Sequence, residues 1–226
     1  MNKHSKPIKV SLIGPPCVGK GFLLRRAREH YKKADREIHI IGMGDLVRDR
    51  LQKDSSFAKQ YLKPMADGFL LPDHEMLPMF QTAWNESLHP HVAQEGYFRT
   101  PRQVQDGENI GFLHNDCITI ILLASLTTCH DRAIDRTQRK SDGTRLDEGK
   151  FRDRFDQDHD VMPDVHRALR RTKTKIIQLD ANGHLEHKVF PDFLSILQAH
   201  WDEVTPFVRP TIPPRLVRSH VAAALA

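Results

Sequence analysis

Cysteine is scarce in this chain, with three residues (Cys17, Cys117 and Cys129) in 226. So few, so scattered, exclude a disulfide framework, and none forms a C-x-x-C metal pair. Aromatic residues make up only 7%. The net charge of +5 is spread among alternating acids and bases without interleaved aromatics, which argues against a nucleic-acid-binding surface. No apolar run approaches the roughly 20 residues that cross a bilayer. The opening residues, MNKHSKPIKV, lack the apolar core of a signal peptide. These absences point to a cytoplasmic protein in a reducing compartment, with neither a membrane nor a nucleic-acid partner. Small polyphosphate ligands account for the positive charge.

What the chain does contain is ordinary globular material, 39% hydrophobic and 28% charged, in a length suited to one domain with inserted lobes. Apolar β-rich runs recur at Ile8–Ile13, Ile38–Ile41, Ile118–Leu123 and Ile176–Leu179, with a weaker candidate at His91–Glu95. Helical patterns separate them. Such alternation predicts an α/β fold whose five-stranded parallel sheet is covered by helices on both faces, with ligands at the carboxyl ends of the strands. Two polar stretches, about 44–72 and 137–146, read as an inserted helical lobe and a short lid. Residues 205–226 carry Pro206, Pro210, Pro213 and Pro214 and read as a loosely ordered tail beyond a single domain over 1–204.

The most informative segment is Gly14-Pro15-Pro16-Cys17-Val18-Gly19-Lys20-Gly21, between the first apolar run and the helix-forming stretch that starts at Phe22. Glycines at both ends of a G-x-x-x-x-G-K frame let the backbone curl so that its N–H groups point inward. The following helix adds its positive N-terminal end. Lys20 supplies a charge that can follow the β- and γ-phosphates of a nucleotide. Cys17, amid inward-facing amides and beside Lys20, has the surroundings of a reactive thiol, with a small filler as the plainer reading. Its side chain disfavours positive φ, so a different curve of the loop is expected there.

Five further segments follow in a fixed order: Gly42-Met43-Gly44-Asp45-Leu46-Val47-Arg48; the turn Gly68–Asp73; Gly96-Tyr97-Phe98-Arg99-Thr100 followed by Gln103; the arginines Arg132, Arg136, Arg145 and Arg154; and Asp180-Ala181-Asn182-Gly183. Together with the glycine loop they resemble the adenylate kinase family of nucleoside monophosphate kinases, over most of residues 8–195. The resemblance implies a P-loop three-layer fold with a monophosphate-binding lobe and a short, metal-free lid. It also implies transfer of the γ-phosphoryl of ATP to AMP or a related monophosphate, with Mg²⁺ accompanying ATP, by a monomer. Carried onto this chain, the resemblance gives ATP to residues 14–22, Arg132 and Gly183. The monophosphate falls to Met43, Arg48, Phe69, Leu70, Leu71, Gly96, Arg99, Gln103, Arg145 and Arg154. Lys20, Arg99, Arg136, Arg145 and Arg154 surround the moving phosphoryl, Asp147 fixes lid closure, and Glu95 reaches a magnesium-bound water.

The chain departs from the family pattern at Cys17, Val18 and Phe22 in the loop, at Met43 where a threonine is usual, and at Phe98 where a proline is usual. Phe22 in particular offers no oxygen to magnesium. These departures leave two alternatives open: a catalytically impaired sensor or scaffold of the same fold, and a P-loop kinase for another small acceptor.

Overall fold

The strands form where short apolar runs can be buried on both faces. Lys9–Ile13 (β1) is buried at every position, and Cys117–Leu123 (β4) at all but its last. Runs buried in this way suit the interior of a parallel sheet. A computed structural model describes residues 8–32, 37–67, 69–87, 89–138 and 146–203. With Ile38–Gly42 (β2), His91–Glu95 (β3) and Lys175–Asp180 (β5), the strands make one sheet in the order β2-β3-β1-β4-β5, parallel throughout. Strand β1 lies between β3 and β4: the connection that leaves it runs to β2 on one side, and the later connection from β3 passes over it to β4 on the other. The carboxyl end of β1 is therefore the switch point of the sheet, where a ligand crevice opens.

The weakest of the expected strands, His91–Glu95, sits next to β1 near the middle of the sheet. Its buried Gln94 is tolerated because the amide is engaged at both ends. Gln94 donates to the Ser11 hydroxyl at 2.6 Å and accepts from the amide of Tyr97 at 3.2 Å.

Among the described residues, eight α-helices surround the sheet: α1 (Lys20–Lys32), α2 (Met43–Lys53), α3 (Ser55–Ala66), α4 (Asp73–Glu86), α5 (Pro101–Asn109), α6 (Leu126–Gln138), α7 (Glu148–Leu169) and α8 (Phe190–Glu203). Alternation along each strand divides the core in two. Val10, Leu12, Ile118 and Ile120 join residues of α1 and α8 in one apolar cluster, while Ile13, Val92 and Ile121 join residues of α2, α4, α5 and the C-terminal half of α7 in the other. The stretch 44–72, expected as an inserted lobe, holds most of α2 and all of α3, both following β2. Arg145, most of the expected lid and the Pro-containing tail lie outside the described residues.

Candidate active site

The loop after β1 has the backbone that an anion cradle needs. Gly14 and Gly19 have φ of +145° and +113°, and Cys17 itself takes +59°. The expectation that a side chain at Cys17 would divert the loop is corrected: the residue adopts the left-handed conformation that glycine would occupy freely, and the strain is held locally. Two glycines are fixed by close approach. A Cβ on Gly14 would lie 2.6 Å from the Leu122 carbonyl oxygen, and one on Gly19 would lie 2.6 Å from Leu185. Phe22 is half-buried against the α1/α8 side of the core.

Lys20 opens α1, and its side chain is buried. Its ammonium folds back on the loop, donating to the carbonyls of Gly14 at 2.6 Å and Pro15 at 2.8 Å. Burial, reinforced by the nearby Arg99 charge, pulls its pKa down to about 8, with Asp158 and Glu95 acting in the opposite direction. Glu95, the last residue of β3, lies against the start of α1: a Cβ on Gly21 would be 2.6 Å from its Oε1. Glu95 is thus the carboxylate beside the cradle.

The opposite wall is the loop after β3. Gly96 has φ of +83°, and Arg99 is largely enclosed, which lowers its pKa; Arg154 lowers it further, while Asp158 and Glu95 support the charge. Two small clefts share Arg99 and Asp158 in their linings. The first is lined by Gly14, Lys20, Gly96 and Phe98, the second by Pro16, Leu70, Arg154 and Gln157. Cradle, Lys20, Arg99, Arg154 and Leu70 therefore meet in one crevice.

Other expected site residues are placed differently. Gln103, expected at the monophosphate, is buried with its amide engaged at both ends: Oε1 accepts from the Arg99 amide at 2.8 Å and Nε2 donates to Asp73 at 2.7 Å. It holds the Arg99 loop to the start of α4. Met43, expected at the monophosphate, is 1% exposed inside the core and lines neither cavity. Arg48 is paired with Asp45 on the exposed side of α2, and Arg136 is exposed on α6; neither lines either of these two cavities. Phe69 is exposed and Leu71 buried. Asp147, expected as a lid aspartate, is the N-cap of α7, accepting from the Lys150 amide at 3.0 Å.

Arg132, expected beside ATP, acts as a clamp. Its guanidinium donates to the carbonyls of Val18 (2.7 Å), Ala181 (2.7 Å) and Gly183 (2.6 Å), tying the phosphate loop to the turn after β5. Gly183 takes φ of +94° in that turn. Asp158 is the residue that sequence reasoning missed. Arg154 and Asp158 are four residues apart on α7, a spacing that places both on one helix face.

Comparison with known proteins follows the same outline. A family model described as AAA domain matches residues 13–150, from the last residue of β1 into the first turn of α7. The chain belongs to the AAA domain family. It is similar to curated adenylate kinases from Streptomyces lividans (26% identical over 132 residues, 57% of this chain and 61% of that one) and Thermococcus gammatolerans (26% over 129 residues, 57% and 54%). A third, from Bartonella bacilliformis, is 25% identical over 146 residues, covering 64% and 72%. Against the first two, the matched segment spans little more than half the relative's length. Among the described residues no helix is long and apolar enough to cross a membrane.

Proposed function

We propose that the protein is a nucleoside monophosphate kinase that passes the γ-phosphoryl of ATP to AMP or a related monophosphate. The observation that carries this reading is the convergence of Lys20, Arg99 and Arg154 with the residue 14–21 cradle at the carboxyl edge of the sheet. Phosphoryl transfer asks little covalent chemistry of a protein: it needs the reacting oxygens in line and cations around the migrating charge. In the proposed step the bond from the γ-phosphorus to its bridging oxygen breaks as a bond to an acceptor phosphate oxygen forms, leaving ADP from the donor and a nucleoside diphosphate from the acceptor, which is a second ADP when the acceptor is AMP. Lys20 exchanges the carbonyls of Gly14 and Pro15 for donor phosphate oxygens. Arg99 and Arg154 stabilise the transferring group from the facing wall, and Gln103 positions Arg99 through its main-chain amide.

Arg132 and the Gly183 turn support the donor site, and Arg48, Arg136 and Arg145 complete the cationic set when the acceptor lobe and lid close. Glu95 fits the magnesium that accompanies ATP, being a carboxylate set against the start of α1, although Phe22 withholds the hydroxyl that a serine or threonine would add. Magnesium supplies neutralisation of charge on the donor phosphates. The reading takes the protein as a cytoplasmic monomer without nucleic-acid or membrane partners.

A second reading, a nucleotide-binding sensor, is favoured by the engagement of Gln103, Met43 and Arg48 away from the cavities. One assay separates the two: purified protein with ATP, magnesium and a panel of monophosphates, read as ADP formed. ADP appearing only with a monophosphate is the expected result. ATP binding without turnover on any acceptor overturns the kinase reading in favour of the sensor.

A further inference from the structure

Asp158 is one of the few carboxylates that the fold encloses, at 9% exposure, and it borders both cavities. It makes no hydrogen bond and no ion pair within 4 Å among the described residues. A buried carboxylate without hydrogen-bond partners is costly unless nearby positive charge compensates it. Here that charge comes from Lys20, at the start of α1, and Arg99, in the loop after β3, which line the first cavity together with Asp158; Arg99 in turn disfavours the Lys20 charge. The groups acting on Lys20 are Arg99 against its charge, and Asp158, Glu95 and Cys17 in favour of it. Glu95 belongs to β3 and abuts the start of α1, whereas Asp158 is carried by α7, in another layer, and borders the cavity space itself.

We propose that Asp158 is a positioning residue that stands in for phosphate: its carboxylate holds the Lys20 and Arg99 charges together across the crevice before nucleotide arrives, and polyphosphate then displaces it from them. The inference rests on reading the residue 14–21 loop as a polyphosphate site. It has a consequence that a merely structural aspartate does not share. A carboxylate competing with phosphate for the same cations weakens polyphosphate binding while raising the proton affinity of Lys20, so neutralising it moves both properties in set directions.

The test compares the full-length protein with Asp158→Asn and Asp158→Glu. Inorganic tripolyphosphate, without magnesium, is the calorimetric probe. The pH dependence of Lys20 acylation by a brief pulse of acetic anhydride, read by peptide mass, is the second measurement. In Asp158→Asn, tripolyphosphate binds about tenfold tighter, and the apparent pKa of Lys20 drops by about one, so that near pH 7 acylation is several times faster. Asp158→Glu, which keeps the charge, stays near the parent on both. If the parent binds tripolyphosphate and Asp158→Asn binds it no tighter, or Lys20 titrates unchanged, the stand-in role is overturned while the polyphosphate reading survives. If the parent and both variants bind no tripolyphosphate, both fall together.

Discussion

At the scale of the residue, the main tension in the molecule is a lysine held where its charge is unwelcome. Lys20 has a native pKa of about 8 against 10.5 for a free lysine. Unfolding therefore takes up a proton between those values, so this group's contribution to stability rises as pH rises from 8 to 10.5. Below pH 8 the fold bears the full cost of the buried charge. Lys20→Met is expected to stabilise the nucleotide-free protein at pH 7 by on the order of 1 kcal/mol, after loss of the two carbonyl hydrogen bonds, and to abolish ATP binding. Chemical denaturation at pH 7 and pH 10.5 checks this: the gain should be present at the first and gone at the second. Cys17 carries the other tension, a φ of +59° without glycine's freedom. Cys17→Gly should relieve about 1 kcal/mol of local strain, offset in part by the added entropy of the unfolded chain, and should tighten ATP binding. Weaker binding in Cys17→Gly by titration calorimetry would show that the thiol side chain contributes more than the strain removes. The glycine loop, Lys20 and Arg99 were legible because motif and flanking elements occur together in the chain. The employment of Gln103 was not, because its partner Asp73 is 30 residues away and only the fold brings them together.

At the scale of the element, all five strands were readable from short apolar runs, including β3, whose polar residues hide its central place until Gln94 is seen bonded to Ser11. Helix α7 shows the limit of such reading. Asp156, Asp158 and Asp160 form an alternating acidic series that looks like a solvated face, and the two outer ones are exposed. The middle one is buried because it falls in helical step with Phe151, Phe155, Val165 and Leu169 on the inward face, so the spacing gives its burial and only its charge is unexpected there. The start of the helix is simpler. Asp147 caps it with a bond to the Lys150 amide, and Glu148 in the first turn pairs with His130 of α6. Asp147→Ala is expected to cost about 1 kcal/mol of stability, and Asp147→Asn much less, since an asparagine oxygen also accepts from the amide. Thermal melts of the two variants distinguish this capping role from one confined to the bound state, which would leave both melting temperatures untouched.

At the scale of the whole molecule, the two apolar clusters lie on opposite faces of one sheet and the crevice lies at its carboxyl edge, lined by Leu70, which follows α3, and by Arg154 and Asp158 of α7. One direct tie joins α3 and α7: the Lys150 ammonium donates to the Ala66 carbonyl at 2.6 Å and lies 3.9 Å from Asp67, at the C-terminal end of α3, where helix carbonyls favour a cation. The pair is half-exposed, so removing it should cost under about 1 kcal/mol of stability. Its effect on shape should be larger. With spin labels at Lys59→Cys and Arg152→Cys in a Cys17→Ser background, the α3–α7 distance can be followed directly. Cys117 and Cys129 are unreactive there because burial pushes their thiols up to about 12 and about 11. Lys150→Ala is expected to broaden and lengthen that distance distribution in the nucleotide-free protein, and saturating ATP with AMP to narrow it again, because ligands bridging both walls supply the tie that the lysine no longer makes. An unchanged distribution in Lys150→Ala would mean that apolar packing alone sets the separation of the two walls.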